Sequence, residues 1–450
     1  MTDQAVRWTA EQVLSLAPDD TSRKAGTKLG SAGPWSGAGH SGSGAVWGLC
    51  KGSGSRPYQT VVDLTGPAYK CSCPSRKFPC KHALGLLLLW AADEGTVPAG
   101  EAPEWAGGWL GDRAQRSERK KEGGGAGGGK PVDEAAARRR AERRAGRIDA
   151  GVAELEQRLA DLLRGGLAGQ EQAGYRAWEE TAARMVDAQA PGLAARVREL
   201  GTLTASGPGW PVRMLEECAL LHLLDRAWQG VAELPAPLAA TVRTRVGLPG
   251  AVEGAPVADR WLVLAQYDTV SPDGRLTTRR VWLQGEETGR PALVLDFGPP
   301  GRAPQLALPV GLVVRGEAAF HAGAVPLRAD LVGRDDPPGP PAGPPPGVDT
   351  GAALDQYGAA LRRDPWLDSW PVVLAGVIPV PADDGNWQLA DADGTYALPL
   401  SPGGRAAASR WQLAALSGGA PLTVFGECGH TGFTPLTAWQ PDSPAAVPLV

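Results

Sequence analysis

The sequence predicts a multi-domain α+β chain: a small N-terminal ββα unit, an α-helical middle domain and a β-rich C-terminal half. Three observations predict it. Three cysteines and one histidine crowd into "CSCPSRKFPCKH", residues 71–82, with an apolar run directly after them. Between residues 148 and 230, apolar residues recur at helical spacing. Beyond residue 255 the pattern changes to short apolar runs divided by turn residues.

Length and composition set the frame. A chain of 450 residues is too long for one ordinary domain. With 61 glycines and 41 prolines, much of it is turn, strand edge or linker. Six cysteines make no disulfide framework, and in a reducing compartment clustered cysteines bind metal or do redox work. The N-terminal "MTDQAVRWTAEQ" carries no secretory pattern. The longest apolar run, near Leu84–Ala92, is about half of the ~20 residues that a membrane span needs. We expect a soluble, cytoplasmic protein. Charge is uneven: residues 1–147 carry 22 Lys+Arg against 15 Asp+Glu, a net of +7, and the rest 23 against 34, a net of −11. The basic end suits a polyanion partner, or contact with the acidic end.

Taken in order, Thr9 and Gln12 predict a capping box and a short first helix. Residues 26–56 hold ten glycines but no G-x-x-x-x-G-K-S/T phosphate loop, so we expect a twisting, close-packed backbone there. Trp35, Trp47 and Tyr58, with Arg23, Lys24, Lys28, Lys51 and Arg56, either pack the unit that follows or form a stacking surface for nucleic acid.

The cysteine cluster comes next. Tyr58–Leu64 reads as a strand, "TGP" as a turn and Ala68–Cys73 as the returning strand. Cys71 and Cys73 then share a strand face. A helix is predicted from near Lys81 to Gly95, so Cys80 and His82 sit at its start. Three thiolates and one imidazole make a closed tetrahedral set suited to one structural Zn2+ ion, with no open position for a catalytic water. Lys70, Arg76, Lys77 and Lys81 surround the set and favour deprotonated thiols. They are also the candidate nucleic-acid contacts.

Cys71-Ser-Cys73, six residues, then Cys80-Lys-His82 resembles the SWIM zinc finger signature, C-x-C-x(n)-C-x-H. That family occurs in bacterial proteins, chromatin-remodelling ATPases and plant MuDR transposases. With "KGSGSRPYQTVVDL" before it, the stretch resembles the bacterial SWIM zinc finger family proteins in particular. The resemblance implies zinc binding and recognition of DNA or protein, and no reaction. Bacterial relatives are often encoded beside AAA+ ATPase and von Willebrand-type proteins, which suits an adaptor.

The helix from Lys81 is apolar almost all round, so it is expected to dock on the N-terminal segment or another domain. Residues 111–147 carry 12 basic and 6 acidic residues around "EGGGAGGGK", expected to be a flexible linker. Arg138, Arg139, Arg140, Arg143 and Arg144 either line phosphates or form a solvated helix face. Val152, Leu155, Leu159, Leu162 and Leu163 make the apolar stripe of a small helical bundle. Cys218 and His222 lie at i, i+4 and Cys428 and His430 two apart; both pairs are expected to be structural. "DADG" and "PADDG" lack the glutamate of a calcium loop and read as hairpin turns. The two β segments echo each other, each opening on a tryptophan-led strand.

The expected domains are 1–44, a helical and glycine-rich lead-in; 45–95, the finger; 96–147, a basic glycine-rich linker; 148–245, a helical domain; 246–334, a β-rich domain; 335–350, a proline-rich linker; and 351–450, a second β-rich unit. No nucleophile elbow, zinc-protease or dinucleotide motif is present, and histidines number only five. We expect no enzyme. Two functions stay open: recognition of nucleic acid, above all DNA, or a protein–protein adaptor.

Overall fold

The computed structural model describes residues 7–42, 44–52, 54–65, 67–75, 77–92, 95–122, 134–271, 274–299, 304–333, 336–382, 385–441 and 443–449. The glycine tract expected to be a flexible linker lies outside the described residues, as does Arg76. The fold is mixed α+β, with N-terminal strands, a helical middle and C-terminal sheets.

Helix α1 (Ala10–Ser15) begins at the predicted capping box: the Thr9 hydroxyl accepts from the Gln12 N–H, and the Gln12 side chain accepts from the Thr9 N–H. Helix α2 (Asp20–Thr27) is capped by Asp19. Strands β1 (Trp35–Ser41), β2 (Ala45–Cys50), β3 (Tyr58–Asp63) and β4 (Ala68–Cys71) then form an antiparallel meander. The expected ββα unit is therefore four-stranded, and the expected boundary at residue 44/45 cuts the β1–β2 hairpin. The glycine-rich run supplies both extra strands. A Cβ at Gly39 would lie 3.0 Å from the Trp47 ring, and one at Gly48 3.0 Å from Trp35. Bare backbone lets each indole lie over the neighbouring strand, an exception to the usual weakness of glycine in strands.

Helix α3 (Lys81–Ala92) is buried from His82 to Trp90. It packs between α1 and α2 on one side and the sheet on the other, the docking that its all-round apolar surface requires. Helix α4 (Glu104–Glu122) corrects the expected linker. Its Trp105, Ala106, Trp109 and Leu110 pack against Ala45, Trp47 and Val61 on the other face of the sheet. Arg113 Nε donates to Asp63 at 2.7 Å. The start of the supposed linker is a third layer of the finger.

Helices α5 (Glu134–Gly165), α6 (Gln170–Asp187), α7 (Pro191–Leu203), α8 (Trp210–Gln229) and α9 (Ala236–Val246) form the helical domain. The predicted stripe of α5 supplies Val152, Leu155, Leu159 and Leu162 to its core, against Trp178, Met185, Val197, Leu221 and Trp228. Leu163 is instead exposed.

Strands β5 (Val257–Val270), β6 (Thr277–Gly285), β7 (Pro291–Gly298), β8 (Val313–Phe320) and β9 (Ala329–Val332) form an antiparallel sheet in the order β7-β6-β5-β8-β9. After α10 (Thr350–Leu361) come β10 (Ser369–Pro381), β11 (Trp387–Asp391), β12 (Ala397–Pro399), helix α11 (Gly404–Ser417), β13 (Leu422–Gly429), β14 (Gly432–Trp439) and β15 (Val447–Pro448). This second sheet runs β12-β11-β10-β13-β14-β15. The two sheets share one core, in which Trp261 and Trp282 meet Phe425, Leu436 and Trp439. Helices α10 and α11 supply Ala353, Tyr357 and Leu413 to a separate core of the second sheet. Helix α11 was not expected: its alanine-rich run carries few apolar landmarks.

The proline-rich segment is held to the first sheet. Gly339 exchanges backbone hydrogen bonds with Val313 at 2.8 and 2.9 Å, and the Ala342 N–H reaches Glu286 at 2.9 Å. The finger is bolted to the same unit, because Ala307 and Leu312 belong to its core. Trp366 enters the helical core, and Arg245 pairs with Asp364 at 2.8 Å. No helix among the described residues is long and apolar enough to cross a membrane.

Candidate metal centre

The β3–β4 hairpin carries Cys71 on its last residue, opposite Thr60. Cys73 follows two residues on. Cys80 precedes α3 and accepts its first backbone hydrogen bond, from Leu84. His82 lies in the first turn of that helix. The ligand atoms of Cys71, Cys73, Cys80 and His82 all fall within 4.8 Å of one another. Cys71 Sγ and His82 Nδ1 are 3.6 Å apart. Bond lengths of about 2.3 Å to sulfur put tetrahedral ligands roughly 3.8 Å apart. The set therefore fits one zinc ion with little movement, and all six cysteines of the chain are free of disulfides.

The protonation of the cluster points the same way. The hydrogen bond from Cys71, then that from Cys80, pulls the Cys73 thiol far below its usual range. Hydrogen bonds to Cys71 and Cys73, with burial, push Cys80 far above it. Burial alone would lower His82, but its bonds to Cys71 and Cys73 outweigh that and raise it to about 9. Four donors this close compete for few protons, and a divalent cation resolves the competition. Cys80 and His82 are buried, and the four protein donors leave zinc no open position, which is the character of a structural site.

Neighbours fix the ligands. Thr60 Oγ1 lies 3.2 Å from Cys71 Sγ. The Tyr58 ring packs on His82 at 4.9 Å between centroids. The Thr60 contact was not predicted, although the hairpin register that faces it to Cys71 is readable from the turn; for Tyr58, packing of the finger was one of the two expectations. Lys77 pairs with Asp19 at 2.7 Å, which ties the inter-ligand loop to the cap of α2. Lys70 and Lys81 are exposed. Trp47 is buried, Trp35 donates to the Leu29 carbonyl at 2.8 Å, and Tyr58 covers the histidine. These aromatics pack the finger.

The other candidate pairs are structural. Cys218 is buried, while His222 Nδ1 meets the Glu156 carboxylate at 2.8 Å. Cys428 is buried, and His430 meets the Tyr357 hydroxyl at 3.2 Å. "DADG" is the turn between β11 and β12. No second group of three or more metal-ligating side chains converges among the described residues.

A closed Cys3His site at the junction of a hairpin and a helix defines a structural zinc finger. Comparison with protein families makes this specific: residues 61–91 match the SWIM zinc finger, and residues 143–246 match the SWIM-associated four-helix bundle domain. The chain thus carries a SWIM finger followed by its associated bundle, with one structural zinc ion. No curated protein and no solved structure matches the chain.

Proposed function

We propose that this is a non-catalytic, zinc-stapled protein that recognises nucleic acid, DNA above all. The observation that supports the reading is the rim of the metal centre. Lys70 and Lys81 flank a closed Cys3His site, stay exposed, and carry no ion pair among the described residues. With zinc bound by three thiolates and one imidazole, the site has a formal charge of about −1, which the two lysines together exceed, so the rim stays net positive. The uneven charge of the chain agrees, because the finger lies in its basic third. The test is binding of the zinc-loaded full chain to double- and single-stranded DNA and to RNA across a salt series, with metal content measured on the same sample. Salt-sensitive DNA binding that weakens in Lys70→Ala/Lys81→Ala supports the reading. Full zinc loading with no binding near physiological salt overturns it.

An adaptor role is the second reading. Trp411 is 65% exposed and packs edge-on against Trp387 on the acidic C-terminal half. Exposed tryptophans of this kind anchor protein interfaces. The resemblance suggests an AAA+ ATPase or a von Willebrand-type protein as the partner to test.

A further inference from the structure

We propose that the first turns of α5 form a duplex-DNA-binding surface made of a single arginine face. The proposal rests on the nucleic-acid reading and moves the main contact away from the finger. From Ala135 to Arg147 no described residue of α5 is buried; the first that is buried is Ile148. This end of the helix projects beyond the bundle core and joins it at Arg144 and Ala145, the latter packed on the core's edge.

Its charges are sorted by face. At about 100° per residue, Arg139, Arg140, Arg143, Arg144 and Arg147 fall within an arc of roughly 140°. Glu142 lies outside that arc and pairs with Arg138, Nε to Oε1 3.1 Å. Arg144 anchors this end, donating at 3.2 Å to the carbonyls of Gln189 and Gly247, just past the ends of α6 and α9. Arg139, Arg140, Arg143 and Arg147 are exposed and make no ion pair or hydrogen bond among the described residues. The fold gains nothing evident from them. A short helix with no buried face is marginal alone, and clustered like charge adds repulsion along it.

A polyanion removes that repulsion. From Arg139 to Arg147 the face runs about 12 Å along the helix axis. Duplex DNA presents one phosphate charge per ~1.7 Å, so several phosphates lie within that length. Guanidinium groups engage phosphate oxygens in bidentate pairs, which suits arginine where lysine would serve as a point charge. A helix with its side chains is about 10–12 Å across, matching the ~12 Å major groove of B-DNA. The major groove of an RNA duplex is too narrow for it.

The experiment uses the zinc-loaded full chain and a fluorescent DNA duplex of random sequence, with anisotropy read across salt. In the combined variant Arg139→Ala, Arg140→Ala, Arg143→Ala, Arg147→Ala, the slope of log K against log salt should shrink by about 3.6, or roughly 0.9 per lost phosphate contact. Lys70→Ala/Lys81→Ala should reduce it by no more than about 1.8. Alanine is the best helix former, so circular dichroism should show unchanged helix content. A wild-type chain that ignores DNA overturns the nucleic-acid reading itself. Wild-type binding with an unchanged slope in the arginine variant overturns this inference alone. An RNA duplex bound as tightly, or oligoglutamate competing equally at matched charge, overturns the assignment to DNA.

Discussion

Asp225 sits on α8 inside the helical domain with 0% exposure, and its carboxylate lies beside the Glu156 side chain with no cation to balance it among the described residues. Burial, and then the nearby charge of Glu156, pushes its pKa up to about 8. In the unfolded chain an aspartate titrates near 3.9. The folded state therefore holds the proton more tightly, so stability falls as pH rises from about 4 to about 8 and levels off above. Each pH unit inside that window costs about 1.4 kcal/mol, so roughly 3 to 4 kcal/mol is lost between pH 5 and 8. Asp225→Asn keeps the shape and removes the ionisation. Native-state hydrogen exchange at the α8 amides, corrected for intrinsic rates, reads the opening free energy of each form. The wild type should lose that amount relative to the variant between pH 5 and 8, and the variant should be the more stable at neutral pH. A difference that stays flat over this range would refute the reasoning, because Asp225 would then ionise as an exposed aspartate does.

Other outcomes follow from the same structure. Cys71→Ser/Cys80→Ser should abolish zinc binding and unfold the finger, since metal binding and folding are coupled; one zinc per chain retained, by elemental analysis, would contradict the ligand set. Acidification should release zinc from the wild type, because protons compete for the thiolates, and a chromogenic chelator would report the metal as it leaves. Arg279 is 2% exposed and holds Asp268 with two hydrogen bonds of 2.7 and 2.8 Å. Arg279→Ala strands that carboxylate and should cost about 3 to 5 kcal/mol, read as a lower urea midpoint. Trp411→Ala should cost about 0.5 to 1.5 kcal/mol, the worth of its edge-on pair with Trp387, because the side chain is otherwise 65% exposed; a thermal melt reads it.

The sequence by itself determined the metal centre. Ligand identity and spacing are local properties, and a hairpin followed by a helix start can place Cys71, Cys73, Cys80 and His82 in few other ways. The bundle was legible for a related reason: Val152, Leu155 and Leu159 repeat at a helical period that needs no knowledge of the partner. What only the tertiary structure decided were contacts between segments distant in the chain. Strands β1 and β2 hid in a glycine-rich run because the residues that make strands of them, Trp35 and Trp47, act across the sheet on Gly48 and Gly39. Helix α4 read as linker because its apolar residues find their partners on β2 and β3, more than forty positions earlier. Lys77 is a candidate nucleic-acid contact in the sequence, and only the fold brings Asp19, nearly sixty positions earlier, beside it. Spacing along the chain encodes what one element does with its own side chains, whereas burial and pairing depend on which other element arrives, and that is settled only when the chain packs.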